Sequence, residues 1–223
     1  MSRWIVVLTL LGLANLFVFA VAEAAPALTP EGHTIVAVID TGVSLPAGSS
    51  VLPGADFVAP GTDAADESGH GTEVAATLAQ NCGDCALLPV RVLSPTGAAP
   101  WSRVAAGIVW AVDHGANVVN VSIAGPSGSP ALREAVRYAA RSGVLVVASA
   151  GNTGGTEPQF PAAYPGVVAV AATDPSGRLA DWSSRGAWVD TLAPGCGRRT
   201  HRAVPACGTS FAAAVVSARL AAS

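Results

Sequence analysis

Charge is scarce in this chain. Asp, Glu, Lys and Arg make up 12% of its 223 residues, and the formal net charge is -3. The few cations gather into neither a stripe nor a tail, so the electrostatic footprint of a nucleic-acid binder is missing and no nucleic-acid partner is expected. Internal repeats and low-complexity linkers are absent too, which excludes a solenoid or a string of modules. No loop carries oxygen ligands at calcium-site intervals, and the cysteines lack the regular spacing of a zinc site. Neither a metal nor an organic cofactor is called for. What is plentiful is apolar material, 51% of residues, enough to build the core of one domain.

That apolar material begins at the N-terminus. Arg3 precedes an apolar run from Trp4 to Val21, and "AVAEAAPA" (20–27) places small residues where a signal peptidase cuts. Residues 1–24 therefore read as a cleaved signal peptide, or as an anchor if they stay attached, and residues 25–223 as one extracytoplasmic domain. Contact with a membrane is expected only in the uncleaved case. Four cysteines suit an oxidising compartment. Three pairings are open to them. Cys82 with Cys85 and Cys196 with Cys207 are favoured because each pair is close in sequence, and zinc held by these cysteines with His201 is the alternative.

Short apolar runs rich in β-branched residues alternate with helical patterns. "HTIVAVID" (33–40), "ALLPVRVL" (86–93), "NVVNVSI" (117–123), "VLVVASA" (144–150), "GVVAVAAT" (166–173) and "WVDTLA" (188–193) read as strands, with Pro89 marking an irregularity or an edge. Helices are expected over 72–81, over 102–114 with Ser102 as cap, over 130–141 with Ser129 as cap and Pro130 in the first turn, and over 210–222. In the third of these, Leu132, Ala135, Val136, Ala139 and Ala140 form one apolar face. Strands apolar throughout and alternating with helices specify an α/β fold, a mainly parallel sheet covered by helices on both faces in three layers.

In such a sheet, ligands bind beyond the carboxyl ends of the strands. Asp40 ends the first strand, Ser122 lies near the end of the third, and Asn152 follows the fourth in "SAGN". His70, in "SGHGTEV", and Ser210, in "CGTSFAAAVV", each open a helix. A serine hydroxyl is a poor nucleophile until a base takes its proton. A histidine does this when a carboxylate holds its tautomer and steadies the imidazolium. An amide such as Asn152, with the free N–H groups at a helix start, can then meet an oxyanion.

The chain resembles the subtilisin-like serine proteases. The resemblance rests on "VIDTGV" (38–43), "GHGTEVAAT" (69–77), "NVSIAG" (120–125), "ASAGN" (148–152), "FPAAYPGVVAVAAT" (160–173), "LAPG" (192–195) and "GTSFAAA" (208–214), in the family's order of Asp, His and Ser. It implies Asp40, His70 and Ser210 as a catalytic triad and Asn152 as oxyanion donor. It also implies Ser122, Ile123, Ala124 and Gly125 as the strand that pairs with substrate backbone, and Ala150 and Gly151 as lining of the specificity pocket. Gln159 falls near that pocket's floor and would make it smaller and more polar. The implied activity is exported serine endopeptidase, acting as a monomer on a peptide or protein substrate. The alternative is a catalytically inactive binding protein of the same shape. A lipase or esterase is disfavoured, since no G-x-S-x-G elbow occurs.

Several departures from the family pattern stand out. Glu73 occupies the place where a second His is common, and Ala212–Ala214 replace Ala-Ser-Pro after the nucleophile. "NCGDC" (81–85) stands where relatives carry a calcium loop, so cysteines are expected to staple what a metal holds elsewhere. Little chain precedes the first strand, and Ser223 closes the sequence soon after the last helix; either a minimal or a truncated domain is expected. Asp63, Asp66 and Glu67 read as a solvated loop, His114 as structural, His33 and His201 as surface residues, and Trp101 as packing or the wall of a cleft.

Overall fold

The computed structural model describes residues 33–196 and 206–223. The signal or anchor segment 1–24 and His201 lie outside the described residues.

Seven parallel strands form one sheet in the order β2-β3-β1-β4-β5-β6-β7. They are β1 (Ile35–Asp40), β2 (Ala55–Asp56), β3 (Ala86–Arg91), β4 (Val118–Val121), β5 (Leu145–Ser149), β6 (Val167–Thr173) and β7 (Thr191–Pro194). Every residue of β1, β3 and β4 is buried, as expected of strands covered on both faces. The period-2 alternation of a strand then deals its side chains to two cores. Ile35, Ala37 and Ile39 join one cluster with Val119, Val121, Val146 and Ala148. Val36 and Val38 join the other with Val118, Val147, Val170 and Ala172. Each fully buried Val or Ile is worth about 1.5–3 kcal/mol relative to exposure, so these alternating runs hold both faces at once.

Helices α2 (Trp101–Asp113) and α3 (Pro130–Arg141) cover the first cluster and pack on each other; α1 (His70–Cys82) and α4 (Thr209–Ala221) cover the second. Helix α4 touches β1, β4, β5, β6 and β7 on one side and α1 on the other. Thr209 through Ala218 are buried without a break. A helix so enclosed has room only for short side chains, which accounts for "SFAAAVVSA". The helix is continuous across Ala214.

Three local expectations are corrected. Ser102 does not cap α2. Extended Pro100 is the cap residue, its carbonyl receiving the N–H groups of Arg103 at 3.0 Å and Val104 at 3.4 Å, so Ser102 already stands inside the first turn. The seventh strand begins at Thr191, not at 188: Trp188 is held in a turn by its indole N–H to the Thr156 carbonyl at 3.1 Å, and the Asp190 carboxylate accepts the Ala169 N–H at 2.8 Å. Ala140 is exposed, leaving Leu132, Ala135, Val136 and Ala139 as the buried face of α3. Ser129 does cap α3, accepting the Leu132 N–H at 3.1 Å, with Pro130 following in the first turn.

The two-residue strand β2 had no apolar pattern to announce it. It explains Pro89, which lies inside β3 rather than at the sheet's edge. Leu87 and Arg91 turn their backbone groups toward the β2 side, where they bond Ser50, Leu52 and Phe57. By alternation Pro89 faces the same way, at the stretch where the edge chain is interrupted near Gly54. No ladder donor is missed there.

Candidate active site

The sheet's strand order reverses between β1 and β4, and their C-terminal ends open one crevice. Asp40 is the last residue of β1 and is completely buried. Its Oδ1 accepts the Thr41 N–H and the His70 Nδ1–H, both at 2.7 Å. A carboxylate oxygen accepts only, so Nδ1 carries a proton, and in the neutral ring Nε2 is left with its lone pair. Asp40 Oδ2 is buried without a hydrogen-bond partner.

His70 is aimed at Asp40 by the way α1 starts. Gly69 takes φ 92° at the N-cap and offers no side-chain cap. The free N–H groups of the first turn are met from outside: Gly71 N–H by Thr41 Oγ1 at 2.9 Å, and Thr72 N–H by Asp66 Oδ2 at 2.9 Å. Gly71 has no alternative, since a Cβ there would lie 2.1 Å from the Gly42 carbonyl oxygen. Asp66 accepts in addition from the hydroxyls of Thr41 and Thr72 and from the N–H groups of Ser68 and Gly69. Read from sequence as part of a solvated loop, it is the knot that ties the β1 turn to α1. Burial works to raise the pKa of Asp66, and the hydrogen bonds from Thr72, Gly69 and Thr41 outweigh it, so the net shift is downward. Glu67 turns away to Arg91 at 3.0 Å, which also binds the buried Asp56 at 3.1 Å.

For His70, burial favours the neutral ring. The attraction and hydrogen bond of Asp40, with the charges of Glu73 and Asp66, outweigh it, and the pKa lies above the ordinary 6.5. The imidazole also leans on Phe211 of α4, ring centroids 6.3 Å apart.

Ser210 stands in the first turn of α4, 8% exposed. Its Oγ donates to the Ser122 carbonyl at 3.4 Å, and Ser122 Oγ donates back to the Ser210 carbonyl at 3.2 Å. The structure thus joins Asp40 to His70 and Ser210 to Ser122, with the His70–Phe211 contact between the two pairs. Its own N–H lies at the helix start, where no residue one turn earlier can accept it.

Asn152 follows β5 on the same rim. Its Oδ1 accepts the Thr209 N–H at 2.9 Å and the Thr209 hydroxyl at 3.0 Å. A backbone N–H can only donate, so the atom facing it is the amide oxygen and the Nδ2 donors face away. Thr209 Oγ1 in turn accepts the Gly151 N–H at 3.0 Å. Thr209 was not singled out from sequence, where it reads as one more small residue before Ser210.

Ser122, Ile123 and Ala124 form one wall of a cavity of about 330 Å³, with Thr41, His70 and Leu93 among the residues opposite. Gly125 is withdrawn from that set: its N–H and carbonyl are both bound to Phe160, at 3.1 and 2.8 Å, and a Cβ would lie 2.8 Å from the Trp101 ring. By strand alternation the free edge carries the backbone groups of Ser122 and Ala124. Trp101 accordingly packs behind this strand. Ala150 is fully buried, its N–H bound to Val170. A Cβ on Gly151 would lie 3.2 Å from Gln159 Cγ, 3.2 Å from Ser184 Oγ and 3.3 Å from Ala124 Cβ, so these residues enclose a narrow space.

Both favoured cysteine pairs are disulfides, Cys82–Cys85 and Cys196–Cys207, which removes these four sulfurs from any zinc site. The second bridges the end of β7 to the residue before Gly208, whose N–H donates to the Gly195 carbonyl at 2.8 Å. His114 stacks on Trp110 at 3.8 Å and bonds its carbonyl, a packing role. Among the described residues no cluster of His, Cys, Asp or Glu has the makings of a metal site, and no helix is long and apolar enough to cross a membrane.

A carboxylate, an imidazole and a hydroxyl on one rim, beside unused N–H donors, are the parts of an acyl-transfer site. Comparison with known proteins points the same way. The model of the Subtilase family, Peptidase S8, matches residues 32–223. Subtilisin DY of Bacillus licheniformis is 40% identical over 174 residues, covering 72% of this chain and 64% of that protein. Alkaline elastase YaB of Bacillus sp. (strain YaB) is 40% identical over 171 residues, covering 73% and 45%. The chain therefore spans less than two thirds of the length of either relative. A crystal structure of a cold adapted subtilisin-like serine proteinase superposes with a TM-score of 0.77 at 32% identity, over 84% of this chain and 74% of that one.

Proposed function

Since the chain belongs to the subtilase family, we propose that it is an extracytoplasmic serine endopeptidase that cleaves peptide bonds through an acyl-enzyme. The observation carrying this reading is the 2.7 Å bond from buried Asp40 to His70 Nδ1, which leaves Nε2 available on the rim where Ser210 opens α4. Ser210 Oγ leaves the Ser122 carbonyl by rotation about χ1 and gives its proton to Nε2 as it attacks the substrate carbonyl. Such bonds are often loose in a resting site and tighten when substrate binds. Asp40 keeps the imidazolium in place, and His70 then returns the proton to the leaving amine. The oxyanion is met by Asn152 Nδ2 and the Ser210 N–H. Water, activated by the same His70, releases the acyl group.

A substrate strand lies along the free edge of Ser122 and Ala124, an addition of backbone to backbone that suits a peptide. The space among Gly151, Ala124, Ser184 and Gln159 favours a small or polar residue before the scissile bond. Two disulfides, one of them partly exposed at Cys207, support a place outside the cytoplasm.

A fluorophosphonate probe tests the assignment. The folded protein takes one label at Ser210, and Ser210→Ala takes none; equal labelling of both would remove Ser210 from its role. The reading as a silent binding protein has one observation on its side, the Ser210 hydroxyl bonded to Ser122 instead of His70. It requires that monodisperse protein leave casein uncut.

A further inference from the structure

A line of buried polar side chains runs beneath the candidate site, through an otherwise apolar layer rich in Ala and Val. Ser217 lies two turns below Ser210 on α4, on the same face, and is fully buried. Its hydroxyl bonds Asn120 Oδ1, in the middle of β4, at 3.0 Å. Asn120, also fully buried, donates from Nδ2 to Ser122 Oγ at 2.9 Å. Ser122 Oγ donates in turn to the Ser210 carbonyl at 3.2 Å. Each donor is used once and all point toward Ser210, so the line has one direction.

Apolar contact is not directional, so the packing of Ala against Val fixes the exact rotation and height of a helix less sharply than a hydrogen bond does. Hydrogen bonds at two heights remove that freedom. Ser217 pins the middle of α4 to Asn120 of β4, and Ser210 pins its start to Ser122, the residue just after that strand. We propose that Ser217 is a positioning residue for the reaction: acting through Asn120 and Ser122, it sets the rotation and height of α4 at which the Ser210 hydroxyl meets His70. This rests on the reading of Ser210 as nucleophile. It goes beyond that reading by giving a role in turnover to a residue that touches neither substrate nor the reacting atoms.

The test uses Ser217→Ala in the full chain, assayed well below its melting temperature and normalised to the active sites that a fluorophosphonate probe labels. Loss of Ser217 leaves Asn120 free to turn and Ser122 free to release the Ser210 carbonyl. A small displacement of a reacting group is costly, so kcat should fall about tenfold with KM held within about twofold. The probe should react proportionately more slowly, at Ser210 as before. Ser122→Ala cuts the same line nearer its end, so the double variant should lose no more than the worse single one. A merely structural Ser217 would lower the melting temperature and leave kcat per labelled site alone; that result overturns the proposal, and so do single losses that multiply in the double variant. Should Ser217→Ala not accumulate as folded protein, Ser217→Thr keeps the hydroxyl and must retain wild-type kcat; a tenfold loss there is equally fatal. Wild-type protein that takes no label at Ser210 defeats the underlying assignment instead, and the positioning role with it.

Discussion

Replacing Thr209 by Val separates the scaffold of the proposed oxyanion donor, Asn152, from the donor itself. The side chain is 1% exposed and its hydroxyl makes two bonds, accepting the Gly151 N–H at 3.0 Å and donating to Asn152 Oδ1 at 3.0 Å. Val fills the same volume, so no cavity opens. The two lost bonds are unequal. Asn152 Oδ1 keeps the Thr209 backbone N–H at 2.9 Å, whereas the Gly151 N–H loses its acceptor inside the protein. An orphaned buried donor costs about 1–3 kcal/mol. Each kcal/mol moves the midpoint of a domain this size by about 2–4 °C, giving a fall of roughly 2–12 °C. Asn152, held by one bond instead of two, should lose about three- to tenfold in kcat. That is far less than complete removal, which in a subtilisin costs about 10²–10³ in turnover, a value belonging to that enzyme. Thermal unfolding and active-site-normalised kcat on Thr209→Val, Thr209→Ser and Asn152→Ala read both effects. Thr209→Ser should recover most of each. The reasoning fails if Thr209→Val leaves midpoint and kcat unchanged, or if it falls as far as Asn152→Ala.

Four further outcomes are expected. His70 is raised above 6.5 by neighbours that include Glu73, so it stays protonated where a free imidazole would not, and kcat/KM should rise with pH only through that raised value. Glu73→Gln removes one raising charge and should move the acid limb of the pH–rate profile downward; a limb that stays put or climbs refutes this. The same shift implies that the Asp40–His70 pair contributes its stability in full below pH 6.5 and loses it as pH rises through the folded value. Asp56→Ala leaves Arg91 buried with only the exposed Glu67 for a partner. Breaking a buried pair from one side costs about 3–5 kcal/mol, readable by chemical denaturation, and a change under about 1 kcal/mol would contradict it. Removing both Cys196 and Cys207 by Ala should cost about 2–3 kcal/mol and lower kcat, because the bridge abuts Gly208, while removing both Cys82 and Cys85 should affect stability alone; equal effects on kcat would deny the clasp its local role.

The layers of this fold were legible because the strands are apolar on both faces and the helices between them are bounded by Gly, Pro and Ser. The candidate site was legible for a different reason: Asp40 ends an apolar strand and Asn152 follows one, His70 and Ser210 each open a helix, and all four lie within two residues of a glycine, where a polar residue is conspicuous. Asp66 was misread because an acidic residue in a Gly- and Ser-rich loop has the composition of a solvated face, and its partners come from two separate turns. Asn120 and Ser217 are 97 positions apart and look like blemishes in apolar elements until the strand and helix are brought together. Strand β2 has no periodicity to read in two residues. Its presence follows from Asp56, which caps Val58 and Ala59 and binds Arg91, a pairing across 35 positions.

Helix α4, walled in by the sheet and by α1, has a consequence for how the cleft can respond to a guest. Nothing arriving from solvent can bend or shift it without opening the cluster beneath, so its amides should exchange only as the whole domain unfolds. Adjustment to different peptides then falls to the rim, where the turn from Ser94 to Ala98 closes on itself through two short backbone bonds and faces the cavity opposite Ser122. On the proposed function, selectivity and chemistry would sit on parts of unequal stiffness: sequence changes in the turn would retune which peptides are accepted while the Ser210 hydroxyl keeps its place.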